Sequence, residues 1–151
     1  MKVSLRATYG IMAAVDLAMH LGTAPVQAKS IARRQAIPAR FLEQVLHSMK
    51  KAGLVSSLRG AQGGYVLSKK PSEVSIAEIL EALDGPLLPP LGGVGRAQVR
   101  RLGKPELLLG KVWEQVYQAE RQVLEAISVE KLAGQQRVLE QERSLDRKSV
   151  V

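Results

Sequence analysis

The chain has 151 residues, 46% of them hydrophobic, a formal net charge of +8 and no cysteine, which suits one compact domain with an appended helix. The missing thiols exclude disulfides, thiolate zinc sites and ordinary cysteine-ligated iron–sulfur chemistry. No apolar run reaches the roughly 18 residues of a membrane span, and the amino-terminal stretch, interrupted by Asp16 and His20, shows no secretory cleavage pattern; a cytoplasmic protein with no membrane partner is expected.

Taken in chain order, Leu5 to Leu21 predicts a helix with Tyr9, Met12, Ala13, Leu17 and Leu21 facing inward, ended by Gly22-Thr23-Ala24-Pro25. His20 lies four residues after Asp16, a spacing that suits a local pair. Val26-Gln27-Ala28 leads into a short helix through Ser30-Ile31-Ala32-Arg33-Arg34-Gln35, broken at Ala36-Ile37-Pro38. A second helix follows from about Pro38 to Ala52. On it Ile37, Phe41, Leu42, Val45, Leu46 and Met49 recur at helical spacing as one apolar stripe. Pro38 suits the first turn, where its missing N–H would be unpaired anyway, and Gly53 tolerates a left-handed cap.

The opposite side of that helix carries Arg40, Gln44, His47 and Lys51, with Glu43 beside them. Arginine can fork onto guanine, glutamine can pair with adenine, and glutamate can accept from cytosine, so this face suits a DNA groove. A solvated amphipathic helix would show the same pattern. Val55 to Leu58 and Tyr65 to Leu67 read as two short strands. Arg59-Gly60-Ala61-Gln62-Gly63-Gly64 joins them, its glycines supplying positive φ. Two helices at a turn followed by such a hairpin make a winged helix. Charge placement favours a polyanion partner: residues 1–70 hold eleven Lys and Arg against Asp16 and Glu43, a balance of +9. The remainder holds eleven basic against twelve acidic residues, or −1. Lysine and arginine release counterions when they meet phosphate.

After Lys69-Lys70-Pro71, Ser75-Ile76-Ala77-Glu78 fits a capping box opening a helix to about Leu83. From Leu87 to Lys104 the prolines and glycines predict a flexible linker, made basic by Arg96, Arg100 and Arg101. Pro105 to Ile127 predicts the longest helix. Leu109, Val116 and Val123, with Val112, Ala119 and Ala126, repeat every seven residues as a dimer stripe; Trp113, Leu124 and Ile127 flank it. A short closing helix at Ser128-Val129-Glu130-Lys131-Leu132 and a polar, disordered tail over 134–151 complete the expected chain.

These residues carry a resemblance. Arg6-Ala7-Thr8-Tyr9, Asp16-Leu17-Ala18, Phe41-Leu42-Glu43-Gln44-Val45-Leu46, Lys51-Ala52-Gly53-Leu54-Val55 and Arg59-Gly60 with Gly63-Gly64-Tyr65 resemble the Rrf2 family of bacterial winged-helix transcription regulators, the IscR, NsrR and CymR type. The resemblance implies a mainly α fold with a small β-hairpin: a winged helix-turn-helix head over 1–86, a loop over 87–104, and a dimerisation helix with its closing segment over 105–133. It implies a homodimeric regulator, not an enzyme, that places one recognition helix per subunit on double-stranded DNA with a palindromic operator. Arg40, Glu43, Gln44 and Arg59 match the family's DNA readers. Lys29, Pro38, His47, Lys51 and Gln62 join them as expected DNA-facing residues. Cluster-binding relatives carry three cysteines between the positions of Leu91 and Leu109; here there are none. No cofactor or metal is therefore expected, and regulation would fall to a protein partner or a small effector. The competing reading is a winged-helix module that docks a partner enzyme.

Overall fold

The computed structural model of the chain describes residues 1–87 and 104–150. Helix α1 (Leu5–Met19) starts at Ser4, whose side chain accepts from the Ala7 amide at 2.9 Å, one of the donors that a helix start leaves free. Helix α2 (Ala28–Gln35) is short and ends at Ala36, which sits in the left-handed region at φ 53°. Helix α3 (Ala39–Lys51) is entered through Pro38. Gly53, at φ 76°, then turns the chain as its sequence position predicts.

Strands β1 (Val55–Leu58) and β2 (Gly64–Leu67) pair antiparallel, with Val55 opposite Leu67 and Leu58 opposite Gly64. Val26, expected only to lead into α2, adds a single antiparallel bridge to β2. It exchanges two backbone hydrogen bonds with Tyr65, at 3.0 and 2.7 Å. A turn of 3₁₀ helix (Pro71–Glu73) precedes α4 (Ile76–Asp84). Ser75 caps α4 by accepting from the Glu78 amide at 3.2 Å. Only half of the expected capping box forms, because the Glu78 carboxylate turns toward Lys69, 3.7 Å away.

One core ties these elements together. Ala13, Ala14 and Leu17 of α1, Ile31 of α2, and Leu42, Val45, Leu46 and Met49 of α3 are buried with Leu54, Val55, Val74 and Ile79. Two residues expected to face inward do not belong to it: Leu21 is 60% exposed beyond the end of α1, and Phe41 is 36% exposed. Phe41 packs edge-on against Tyr9 at 5.5 Å between ring centroids, an arrangement that aromatic quadrupoles favour. Gly10 lets α4 approach α1; a Cβ there would meet Leu83 Cδ1 at 2.1 Å.

Helix α5 (Lys104–Ala126) spans 23 residues, about 35 Å. Leu124 and the following Ile127 pack on Ala7, Ile76 and Leu80. The chain then returns to the head. Ile76 donates to the Ile127 carbonyl at 2.9 Å and Val129 to the Val74 carbonyl at 2.8 Å, pinning the start of the last helix beside the start of α4. That helix, α6 (Val129–Ser149), corrects two expectations. The closing helix does not end near Leu132, and residues 134–149 are helical rather than disordered. Ser128 caps it, the buried Val129 and Ala133 anchor its first turns, and a Gln136–Glu140 hydrogen bond supports the exposed part. Costly nucleation is already met by docking, so good helix formers extend the helix without burying a face. The expected flexible linker falls almost wholly outside the described residues.

Candidate nucleic-acid interface

Helix α3 is the element on which the site is built. Its four buried residues Leu42, Val45, Leu46 and Met49 fix one face in the core. The 3.6-residue period must then turn Arg40, Glu43, Gln44 and His47 outward. All four are exposed, and they line one open groove together with Arg6 and Ser48. The remaining expected contacts, Lys29, Pro38, Lys51, Arg59 and Gln62, are also exposed, on α2, at the entry and exit of α3, and on the hairpin tip. They do not line that groove. Among the described residues no carboxylate lies within 4 Å of Lys29, Arg40, Lys51 or Arg59. Their charges stay free to act on a polyanion.

The hairpin that carries Arg59 and Gln62 depends on close backbone approach. A Cβ at Gly63 would meet the Leu58 carbonyl oxygen at 2.2 Å, and one at Gly64 the Val26 backbone at 2.5 Å. Gly60, at φ 108°, accepts from the Gly63 amide at 2.9 Å to close the tip. The spacing Arg-Gly-x-x-Gly-Gly-Tyr is thus a geometric demand of a tight loop set against the Val26 backbone.

A second cluster joins α1 to α2, and sequence reasoning found only its Asp16–His20 pair. Asp16 is 1% exposed. It accepts two hydrogen bonds from Arg34, at 2.9 and 2.7 Å, and one from Gln35 at 3.0 Å. The bond to Asp16 raises the Arg34 guanidinium above its already high range. His20 joins as expected: its Nδ1 lies 3.6 Å from the Asp16 carboxylate and 2.8 Å from the Asp16 carbonyl. Arg34, one of the charges of the basic head, is thus engaged in fixing α2 to α1. The sequence signals were an acid amid the apolar residues of α1 and its spacing to His20; Arg34 and Gln35 lie 18 and 19 residues away.

On α5, the expected dimer residues Leu109, Val112, Val116, Ala119, Val123 and Ala126 are all exposed on the single chain. The inward side instead holds Tyr117 and Leu124, with Ile127 just beyond the helix end, all half-buried. Trp113 stays 41% exposed, so it parts company with the two residues grouped with it from sequence.

A helix with an exposed polar face over an aliphatic core, with a glycine-pinned basic hairpin beside it, defines a winged-helix DNA-binding protein. The chain belongs to the Rrf2 family, described as iron-dependent transcriptional regulators, which it matches over residues 3–135. It is 34% identical over 134 residues to the HTH-type transcriptional regulator CymR of Bacillus subtilis, covering 89% of this chain and 91% of that one. The structure of CymR (YrzC), the global cysteine regulator of B. subtilis, superposes with a TM-score of 0.73 at 32% identity over 89% of this chain and 97% of that one. IscR of T. potens superposes at 0.72 and 36% identity, covering 89% of this chain and 88% of its own. These relatives are transcriptional regulators, not enzymes.

The family's iron dependence meets an unsuitable donor set here. There is no cysteine anywhere, and no Cys, His, Asp or Glu between Leu88 and Gly103. Among the described residues no three His, Asp or Glu side chains gather as a metal site. A thiolate-held cluster does not fit this chain. Among the described residues no helix is long and apolar enough to cross a membrane.

Proposed function

We propose that this chain is a cytoplasmic, homodimeric transcription regulator that reads a palindromic operator without an iron–sulfur cluster. The observation that carries the reading is the α3 groove, where Arg40, Glu43 and Gln44 stand exposed on one face. Each subunit lays that face into a major groove, Arg40 and Gln44 toward purine edges and Glu43 toward a cytosine amine. Glu43 also discriminates against bases that present only acceptors. Lys29, His47 and Lys51 support the helix from its flanks, Pro38 sets its entry, and Arg59 with Gln62 reach the neighbouring minor groove. Leu109, Val112, Val116, Ala119, Val123 and Ala126 form the seam between subunits. Regulation, in the absence of cluster ligands, comes from a protein partner or a small effector.

Selection of bound duplexes from a random pool tests the reading. It returns a two-fold symmetric motif with half-sites about one helical turn or a multiple apart. Equal affinity for that motif and its scrambled version in competition would overturn specific readout. Replacing Arg59 by alanine lowers the slope of log K against log salt by about 0.9 for each phosphate it no longer neutralises. Iron chelation leaves operator affinity unchanged, and a fall on chelation would refute the cluster-free assignment.

A further inference from the structure

Arg6 belongs to α1, outside the helix-turn-helix, yet it lines the recognition groove with Arg40, Glu43, Gln44 and His47. Its Nη2 donates to Ser48 Oγ on α3. That bond uses one of the five N–H donors of the guanidinium. Its Nε is shielded from water and has no hydrogen-bond partner. Among the described residues no carboxylate lies within 4 Å of Arg6. Arg34 ends on the Asp16 carboxylate, the stronger, charge-assisted arrangement. Arg6 ends instead on a hydroxyl, at the wall of an open groove whose one acid is Glu43. Glu43 would repel a phosphate approaching α3 there, and Arg6 is the cation that α1 brings to the same groove.

We propose that Arg6 is a phosphate-binding residue of the DNA interface, held along the recognition helix by Ser48. The proposal rests on the DNA-binding reading above and adds α1 to its contact surface. The Ser48 tether limits the rotamers of a long side chain, so less ordering entropy is lost when phosphate arrives.

The test compares the salt dependence of operator binding for the full chain, Arg6→Gln, Arg6→Met and Ser48→Ala, each checked for fold by circular dichroism and thermal melting. Arg6→Gln lowers the slope of log K against log salt by about 0.9 per subunit, about 1.8 per dimer, and weakens binding at least tenfold. Ser48→Ala keeps the charge and the slope. Because the chain has no cysteine, Arg6→Cys carries a unique thiol. Its reaction with an aminoethyl thiosulfonate restores positive charge and slope, whereas a neutral reagent of equal size restores neither. A folded Arg6→Gln or Arg6→Met with the parental slope overturns the proposal, however far its melting temperature moves. A parental chain that binds duplexes without preferring the selected operator defeats specific readout, while the slope comparison on random duplex still judges Arg6. A chain that binds no duplex refutes both.

Discussion

Asp16 shows how much one buried carboxylate can hold. Its three side-chain hydrogen bonds come from Arg34 and Gln35, so α1 grips the last turn of α2 and with it the turn that aims α3. Removing one partner of a buried pair strands the other. Arg34 is 36% exposed, and solvent screening reduces the loss. Arg34→Met is expected to cost about 2 kcal/mol in urea unfolding and to loosen operator binding without touching the DNA. The raised guanidinium pKa fixes the sign with pH: the stabilising charge is complete at every pH below the usual arginine range and disappears only in strong alkali. Two residues later Ala36 carries the strain of the turn itself, a non-glycine at φ 53°. Left-handed backbone costs an L-residue roughly 1–2 kcal/mol, and glycine returns part of that as unfolded-chain entropy. Ala36→Gly therefore raises stability by up to about 1 kcal/mol, with operator affinity unchanged; a lower melting temperature would show the turn to be unstrained.

At the scale of elements, the hairpin and the last helix depend on different physics. The hairpin is built from backbone contact. Gly63→Ala would push a Cβ into the Leu58 carbonyl at 2.2 Å. Backbone cannot swing aside as a side chain can, so this variant is expected to disorder the tip and to weaken DNA binding more than it lowers global stability. Proteolysis of the hairpin against thermal melting separates the two effects. Helix α6 rests on its first turns. Val129 and Ala133 are buried, while every residue from Arg137 to Val150 is exposed. Truncation after Gln136 is accordingly expected to leave the melting temperature within about 2 °C, whereas Val129→Asp, which buries a charge, unfolds the head's seam with α4. Ser75→Ala removes a cap and costs about 1 kcal/mol.

For the whole molecule the proposed dimer turns on the outer face of α5. Val112, Val116 and Val123 are 44%, 40% and 58% exposed, more aliphatic surface along one helix than scattered surface residues produce. In the proposed dimer a second copy covers that face, and two α3 grooves serve one duplex. Val116→Glu is expected to yield a monomer by sedimentation and to reduce operator affinity at least a hundredfold, since each half-site then binds alone. A Val116→Glu chain that still sediments as a dimer would move the seam elsewhere.

Sequence by itself determined the order of the main helices and strands, the exposed polar face of α3 and the family. Periodicity, caps and glycine placement are local properties, and each follows from a few neighbouring residues. Phe41 and Leu21 depart from their expected burial because helical spacing says which side a residue occupies, not whether another element reaches that far. The tail departs from expected disorder because composition cannot show that Val129 and Ala133 would find α1. Asp16 with Arg34, Val26 beside Tyr65, and Arg6 against Ser48 all join residues 18 to 42 positions apart. Only the packed fold decided those, because burial and close approach are set by where distant segments meet, and no short window of residues contains both partners.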